Sequence, residues 1–272
     1  MRLLLTSGGI TNRSIHDALV GLLGKPIAEA NALCITTASY GHPLAGPAAA
    51  WRFIAGRDEA PMCELGWKSL GVLELTALPS IGKERWVPWV QETDALLVNG
   101  GDTLYLCHWM WQSGLADLLP SLRETVWAGL SAGSMVMTPR IGKEFVIWTP
   151  PTGGDETLGL VDFSIFPHLD YPTFPENTLA HAERWAAGIA GPAYAIDDET
   201  AIKVVDGTVE VVSEGHWKRF SGCARGPWPW WLSLGEAEES SNVQMLIDPL
   251  PSCRRIRKIR CSHSLSSGGR IA

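Results

Sequence analysis

A serine flanked by small residues is the first candidate for chemistry in this chain. Residues 129–134 read Gly-Leu-Ser-Ala-Gly-Ser and match the pattern G-x-S-x-G. In this pattern a sharp strand-to-helix turn lifts the serine hydroxyl out of a sheet. The N–H groups at the start of the following helix favour developing negative charge. The pattern therefore predicts that Ser131 is a nucleophile in acyl transfer.

A pair of glycines after another apolar run is the second candidate. Gly100 and Gly101 are followed by Asp102, a residue type that caps helices. Because glycines let the backbone approach a substrate closely, we expect the N–H of Gly100 or Gly101 to supply half of an oxyanion hole. The N–H of Ala132 would supply the other half. The same residues would also suit a plain tight turn capped by Asp102.

A histidine at the end of a third apolar run is placed to act as a general base. His168 lies 37 residues after Ser131. A catalytic imidazole needs a carboxylate to orient it. Asp170, Asp198 and Glu199 are the candidates, and the residues alone do not choose among them.

Two alternatives to a serine hydrolase follow from the same residues. His168, Asp170 and His181 could be considered metal ligands, but their spacing matches no standard zinc set, so we expect neither a metal nor a cofactor. The other alternative is a catalytically silent module that holds a small ligand at the turn of Gly100 and Gly101.

The elements that must position these residues alternate along the chain. Short apolar runs of the kind seen in buried parallel strands are separated by helical stretches, which predicts an α/β three-layer sandwich with a mostly parallel, flavodoxin-like central sheet. Ligand sites in such sheets form at the carboxyl ends of the strands, where the candidate residues lie. The predicted strands are residues 2–6, 32–37, 70–76, 95–99, 161–166 and 194–196.

Helices are predicted between these strands. The first begins at Ser14 as N-cap and ends at Gly24, and a short helical stretch over 134–138 follows Ser131. Near the end, residues 201–205 and 208–212 flank an Asp-Gly turn and predict a terminal antiparallel hairpin. The remaining predicted helices are residues 48–55, 83–91, 103–112 and 115–127.

Charge and hydropathy exclude several classes of protein. The net charge of −7 argues against a protein that binds a nucleic-acid backbone, which needs a basic face. No apolar run reaches the roughly 18 residues that a membrane helix requires. Within the first ten residues the apolar run of three leucines, at 3–5, is too short for a signal-peptide core. We therefore expect a cytoplasmic protein without nucleic-acid or membrane partners. The six cysteines form no C-x-x-C pair, which is typical of buried thiols in a reducing compartment.

The two ends of the chain differ in charge. Residues 1–221 carry 15 Lys and Arg against 25 Asp and Glu, whereas residues 222–272 carry 7 against 4 and include a basic cluster at 254–260. The second segment has no sustained hydrophobic period. We predict a catalytic α/β domain over 1–221 and an irregular C-terminal tail over 222–272.

Four runs of sequence taken together resemble a known family. "NGGDTLYL", "GLSAGS", "FPHLD" and "AIDDETAIKVVDG" occur in this order, and over about residues 1–220 the chain resembles the peptidase E (aspartyl dipeptidase) family of serine peptidases. The resemblance implies a cytosolic hydrolase with a fold like that of class I glutamine amidotransferases. It also implies a Ser-His-acid triad with Asp198 at the acid position, where relatives commonly carry Glu.

The resemblance leaves two points open. In glutamine amidotransferases the orienting carboxylate lies two residues past the histidine, which would be Asp170; their own reaction is disfavoured here because their nucleophile is cysteine. Aspartyl dipeptidases carry an arginine on the helix after the histidine, but this chain has none at the start of that stretch, and Arg184 lies further along. Aspartyl specificity is therefore not part of the prediction.

The combined prediction is a serine peptidase, monomeric or homodimeric, that hydrolyses small peptides. The triad would be Ser131, His168 and Asp198. An ordinary α/β-hydrolase esterase is disfavoured, because its acid would precede its histidine.

Overall fold

The computed structural model describes residues 1–222. Residues 223–272, which hold nearly all of the predicted tail and its basic cluster, lie outside the described residues. The strands are β1 (Arg2–Thr6), β2 (Asn31–Ile35), β3 (Ser69–Val72), β4 (Ala95–Val98), β5 (Val126–Leu130), β6 (Ser164–Phe166), β7 (Ala193–Ile196), β8 (Thr200–Val205), β9 (Thr208–Ser213) and β10 (Trp217–Phe220). The helices are α1 (Arg13–Leu23), α2 (Thr37–Gly41), α3 (Gly46–Ile54), α4 (Lys83–Gln91), α5 (Thr103–Ser113), α6 (Leu115–Leu118), α7 (Ala132–Met135) and α8 (Leu179–Gly188).

Seven of the strands form the main sheet, in the order β3-β2-β4-β5-β1-β8-β9. The first five are parallel, and β8 and β9 are antiparallel additions at one edge. The turn between β8 and β9 is Asp206-Gly207, where both residues have positive φ, as a two-residue hairpin turn requires. The predicted α/β architecture with a mostly parallel sheet and a terminal hairpin is confirmed.

Alternate residues of the strands serve two separate cores. On one face Leu3 and Leu5 pack with Trp127 and with apolar residues of α4 and α5. On the other face Leu4 packs with Ala128 and the buried side of α1. Because both faces of the sheet are covered at its centre, the buried parts of β1 and β4 are mostly apolar and could be recognised from the sequence.

The predicted strands over 161–166 and 194–196 do not join the main sheet. They form a second sheet in the order β10-β7-β6, in which β6 and β7 are parallel and β10 is antiparallel to β7. The first of them begins only at Ser164. A small core that includes Phe166 and Trp185 of α8 lies beneath this sheet.

The predicted helix over residues 115–127 is wrong. The α-helix ends at Leu118, a 3₁₀ turn follows over Leu119–Ser121, and β5 begins at Val126. Pro120 lies in that turn, and a proline cannot donate the backbone hydrogen bond that would continue an α-helix. The strand that leads to Ser131 is therefore longer than the prediction allows.

The N-cap of α1 also differs from the prediction. Asn12, not Ser14, occupies that position in an extended conformation, and its side-chain oxygen accepts the N–H of Ile15 at 2.9 Å. The predicted C-cap is confirmed, since Gly24 has a φ of 68°.

None of the helices in residues 1–222 has the length and apolar character needed to cross a membrane.

Candidate active site

Ser131 lies at a strained turn between β5 and α7. Its φ of 49° and ψ of −107° fall in a region that residues with a side chain rarely adopt. The turn is held by the Ser131 N–H, which donates to the carbonyl of Thr6 at 3.0 Å. The glycines on either side are required by close packing: a Cβ atom on Gly129 would lie 2.4 Å from the carbonyl oxygen of Gly133, and one on Gly133 would lie 2.3 Å from that of Val98.

The paired glycines lie opposite this turn, beyond β4. The N–H of Gly100 donates to the side-chain oxygen of Asn99 at 2.7 Å, so it is already occupied. Within residues 1–222 the N–H groups of Gly101 and Ala132 have no protein acceptor. Gly101 has a φ of 139°, and a Cβ there would lie 2.3 Å from the carbonyl oxygen of Ala38. Of the three predicted donors, Gly101 and Ala132 are therefore the two whose N–H groups are free to bind a ligand.

His168 follows β6 and links the serine to a carboxylate. Its Nε2 lies 2.9 Å from Oγ of Ser131, and its Nδ1 lies 2.8 Å from Oδ1 of Asp198. Asp198 comes from the turn after β7, the neighbouring parallel strand, so the carboxyl ends of adjacent strands bring histidine and acid together. A hydroxyl bonded in this way to an oriented imidazole can lose its proton as it attacks a carbonyl carbon.

The carboxylates of the two other candidate acids bind partners other than His168. The Asp170 carboxylate is 3.0 Å from Nε2 of His216, and Asp170 has a φ of 54°, a left-handed conformation. The Glu199 carboxylate accepts a hydrogen bond from the Asn12 side chain at 3.0 Å. Of the three carboxylates, that of Asp198 makes the hydrogen bond to His168.

The residues considered as metal ligands are not brought together either. Asp170 is paired with His216, and Nδ1 of His181 is 3.0 Å from the backbone carbonyl of Glu176. Across the part of the chain that the structure describes, no three His, Cys, Asp or Glu side chains form a group that could hold a metal ion.

Asp198 has two polar partners that favour its charged form. Burial opposes ionisation, but the hydrogen bond and charge of His168 and a hydrogen bond from Ser7 outweigh it, so the pKa of Asp198 is lowered from its ordinary value. Ser7 donates to Oδ1 at 2.7 Å. The sequence prediction does not include Ser7; its position directly after β1, at the carboxyl edge of the sheet, is the signal that could have found it.

A cavity of about 710 Å³ opens onto these residues. Phe174 lies against the His168 ring, with 5.1 Å between the ring centroids. The predicted site residues that line the cavity are Gly100, Gly101, Ser131, His168, Asp198 and Glu199. Other parts of the wall come from α3, the loop after Gly142 and the loop after His168, including Arg52, Glu144, Phe145, Ile147, Phe174 and Glu176. A cavity of this size suits a small organic ligand or short peptide.

Arg184 does not line this cavity. It lies within α8, beyond the first turn of the helix. Arg52 of α3 does line the cavity.

Comparison with known proteins shows that the chain is similar to a family of peptidases. The model of peptidase family S51 matches residues 3–212. A peptidase E from Shewanella amazonensis is 32% identical over 103 residues, which are 35% of this chain and 42% of the relative. A peptidase E from Streptomyces coelicolor is 36% identical over 83 residues, which are 29% of this chain and 33% of the relative. The matched part therefore spans less than half of either curated relative.

Solved structures share the fold over a longer range. A candidate peptidase E from Listeria monocytogenes EGD-e superposes with a TM-score of 0.53 at 20% identity and covers 79% of this chain and 98% of its own. A peptidase from an acI-B1 Actinobacterium has a TM-score of 0.56 at 19% identity, over 82% of this chain and 95% of its own. These likenesses confirm the amidotransferase-like α/β fold.

Proposed function

This chain belongs to peptidase family S51, and we propose that it is a serine peptidase that hydrolyses small peptides. The observation that carries the proposal is a pair of hydrogen bonds that connects Ser131 to His168 and His168 to Asp198. All three residues line one cavity.

In the proposed reaction Ser131 Oγ attacks the scissile carbonyl carbon. Nε2 of His168 takes the hydroxyl proton as the Oγ–C bond forms, and Asp198 stabilises the resulting imidazolium through Nδ1. The N–H groups of Gly101 and Ala132 stabilise the oxyanion, a contribution of roughly 3–4 kcal/mol for a single donor. His168 then gives its proton to the leaving amine as the C–N bond breaks. A water molecule, deprotonated in turn by His168, releases the acyl group from Ser131.

The size and lining of the cavity support a short substrate. About 710 Å³ lies within the range of sites that enclose small ligands. The missing arginine at the start of α8 argues against carrying over an aspartyl preference.

Labelling with a serine-directed fluorophosphonate tests the proposal. We expect a single adduct that peptide mapping places on Ser131, together with hydrolysis of members of a dipeptide and tripeptide library. His168→Ala is the matched control, because it keeps the serine but removes its base and should label far more slowly. Ligand binding without labelling or hydrolysis would instead support a silent binding module.

A further inference from the structure

Ser7 follows β1 directly and is completely buried. Its hydroxyl donates to Oδ1 of Asp198 at 2.7 Å and accepts the backbone N–H of His168 at 2.6 Å. The same oxygen lies 3.4 Å from Nδ1 of His168. One side chain from the main sheet therefore contacts both the histidine and the acid, which come from the second sheet.

The hydrogen-bonding roles of Ser7 follow from counting donors. A hydroxyl has one proton, and an ionised carboxylate can only accept, so the proton of Ser7 points to Asp198. The N–H of His168 then needs a lone pair of the same oxygen. Nδ1 of His168 has its own acceptor, Oδ1 of Asp198 at 2.8 Å. The O–H of Ser7 and the Nδ1–H of His168 thus converge on one carboxylate oxygen.

The backbone of His168 requires such support. Its φ of 55° is left-handed, a strained conformation for a residue with a side chain, and such strain persists only where the surrounding structure fixes the backbone. The hydrogen bond from the His168 N–H to Ser7 fixes this backbone from one side. The hydrogen bond from Ser7 to Asp198 fixes the acid from the other.

The neighbouring residue shows what a purely structural hydroxyl does at this position. Thr6 is also completely buried, but its hydroxyl donates to the carbonyl of Gly129 and accepts the N–H of Gly9, both of them backbone groups. Ser7 differs because one of its partners is the carboxylate that orients His168.

We propose that Ser7 is a positioning residue of the hydrolytic reaction, holding Asp198 and His168 in the arrangement that directs Nε2 toward Ser131. This inference rests on the proposed function. Ser7 is buried and does not line the cavity, so it does not reach a substrate held there. It acts on the rate through the geometry and charge of Asp198, so its removal should affect kcat and leave KM nearly unchanged.

The first test compares Ser7→Ala and Ser7→Thr with the wild-type enzyme on one peptide substrate. We expect Ser7→Ala to lower kcat by about 10–100-fold, the range for partners that orient a functional group, while Ser7→Thr restores much of the loss by returning the hydroxyl. Ser164→Ala is the matched control: Ser164 is a buried serine whose hydroxyl donates to the carbonyl of Arg140, and its loss should leave kcat unchanged. A wild-type kcat for Ser7→Ala, or equal losses in Ser7→Ala and Ser164→Ala, would overturn the inference.

A double-mutant cycle separates positioning from general loss of structure. If Ser7 acts through Asp198, Ser7→Ala should slow fluorophosphonate labelling of the folded protein much less in an Asp198→Ala background than in the wild type. The same factor in both backgrounds would show a merely structural role and overturn the inference. Absence of labelling at Ser131 in the wild-type enzyme would overturn the proposed function itself, which makes the two failures distinguishable.

Discussion

Gly8 and Asp198 lie so close together that a Cβ atom built on Gly8 would be 2.6 Å from the Cβ of Asp198. An added methyl group must therefore displace the acid or the end of β1. We predict that Gly8→Ala lowers kcat/KM by about 100-fold, because displacements near 1 Å in catalytic groups have effects of this order. Steady-state kinetics on one peptide substrate measures the change.

The control for this substitution is Gly21→Ala. Gly21 lies in α1, and no atom lies within 4 Å of an added Cβ. Its replacement should leave kcat/KM unchanged and raise the free energy of unfolding by about 0.5–1 kcal/mol, because alanine favours a helix more than glycine does. Equal kinetic losses in the two variants would contradict the prediction.

Ser131→Ala should remove catalysis but leave the fold intact. Only a hydroxyl at a partly exposed turn is lost, so the melting temperature should stay close to that of the wild type. We expect kcat to fall by up to about 10⁶-fold, as when a catalytic serine is removed from other serine peptidases. Retention of more than a few per cent of wild-type activity would show that another residue is the nucleophile.

Neutralising the three candidate acids separately should identify the one that orients His168. We predict that Asp198→Asn lowers kcat/KM by up to about 10⁴-fold, because the imidazolium loses its stabilising charge. Asp170→Asn and Glu199→Gln should each cost about tenfold or less, since neither carboxylate contacts the imidazole and either could act only indirectly. The three values of kcat/KM are compared on the same substrate. A severe loss in Asp170→Asn with near-normal Asp198→Asn would favour the amidotransferase-like arrangement.

The lowered pKa of Asp198 should make part of the stability depend on pH. A carboxyl group whose folded-state pKa lies below its unfolded value, about 3.9, adds stability above that pH and loses it as the pH falls through the folded pKa. We predict that the free energy of unfolding of the wild type decreases below about pH 4 more steeply than that of Asp198→Asn. Urea titrations between about pH 3 and pH 6 measure both curves. Parallel curves would show that Asp198 gains no charge-dependent stability in the fold.

Removal of the segment after residue 221 should leave folding and hydrolysis nearly unchanged. The last described strand, β10, ends at Phe220, and the following segment differs from the preceding one in the sign of its charge. We expect a chain of residues 1–221 to keep the kcat/KM and melting temperature of the full chain. An insoluble truncated protein, or one that melts far lower, would contradict the proposed domain boundary.

The parts of the fold that were predictable are those with strong local signals. Residues 2–6 form β1 as predicted, because a strand covered on both faces has a continuous apolar centre, here the three leucines at 3–5. The Asp206-Gly207 turn was predictable because its residue types match its positive φ angles.

The sequence predicts the wrong element, or none, where a local pattern competes with tertiary structure. Helical spacing recurs at Leu115, Leu119, Leu122 and Val126. In the structure, however, the first lies in a helix, the second in a 3₁₀ turn, the third between elements and the fourth in a strand. The strand β10 alternates between exposed and partly buried residues, and Trp217 is 44% exposed, so its pairing with β7 had no apolar signature. The contacts of Ser7 have no local signature for a related reason: its partners lie more than 160 residues away in sequence.

The positive φ of Ser131 sets stability against reactivity at a single residue. The fold carries about 1–3 kcal/mol of strain at that residue, a large share of what a single substitution usually changes. Glycine would adopt this conformation at little cost. The side chain of Ser131 therefore costs stability at this turn, as expected for a residue whose hydroxyl is used in the proposed reaction.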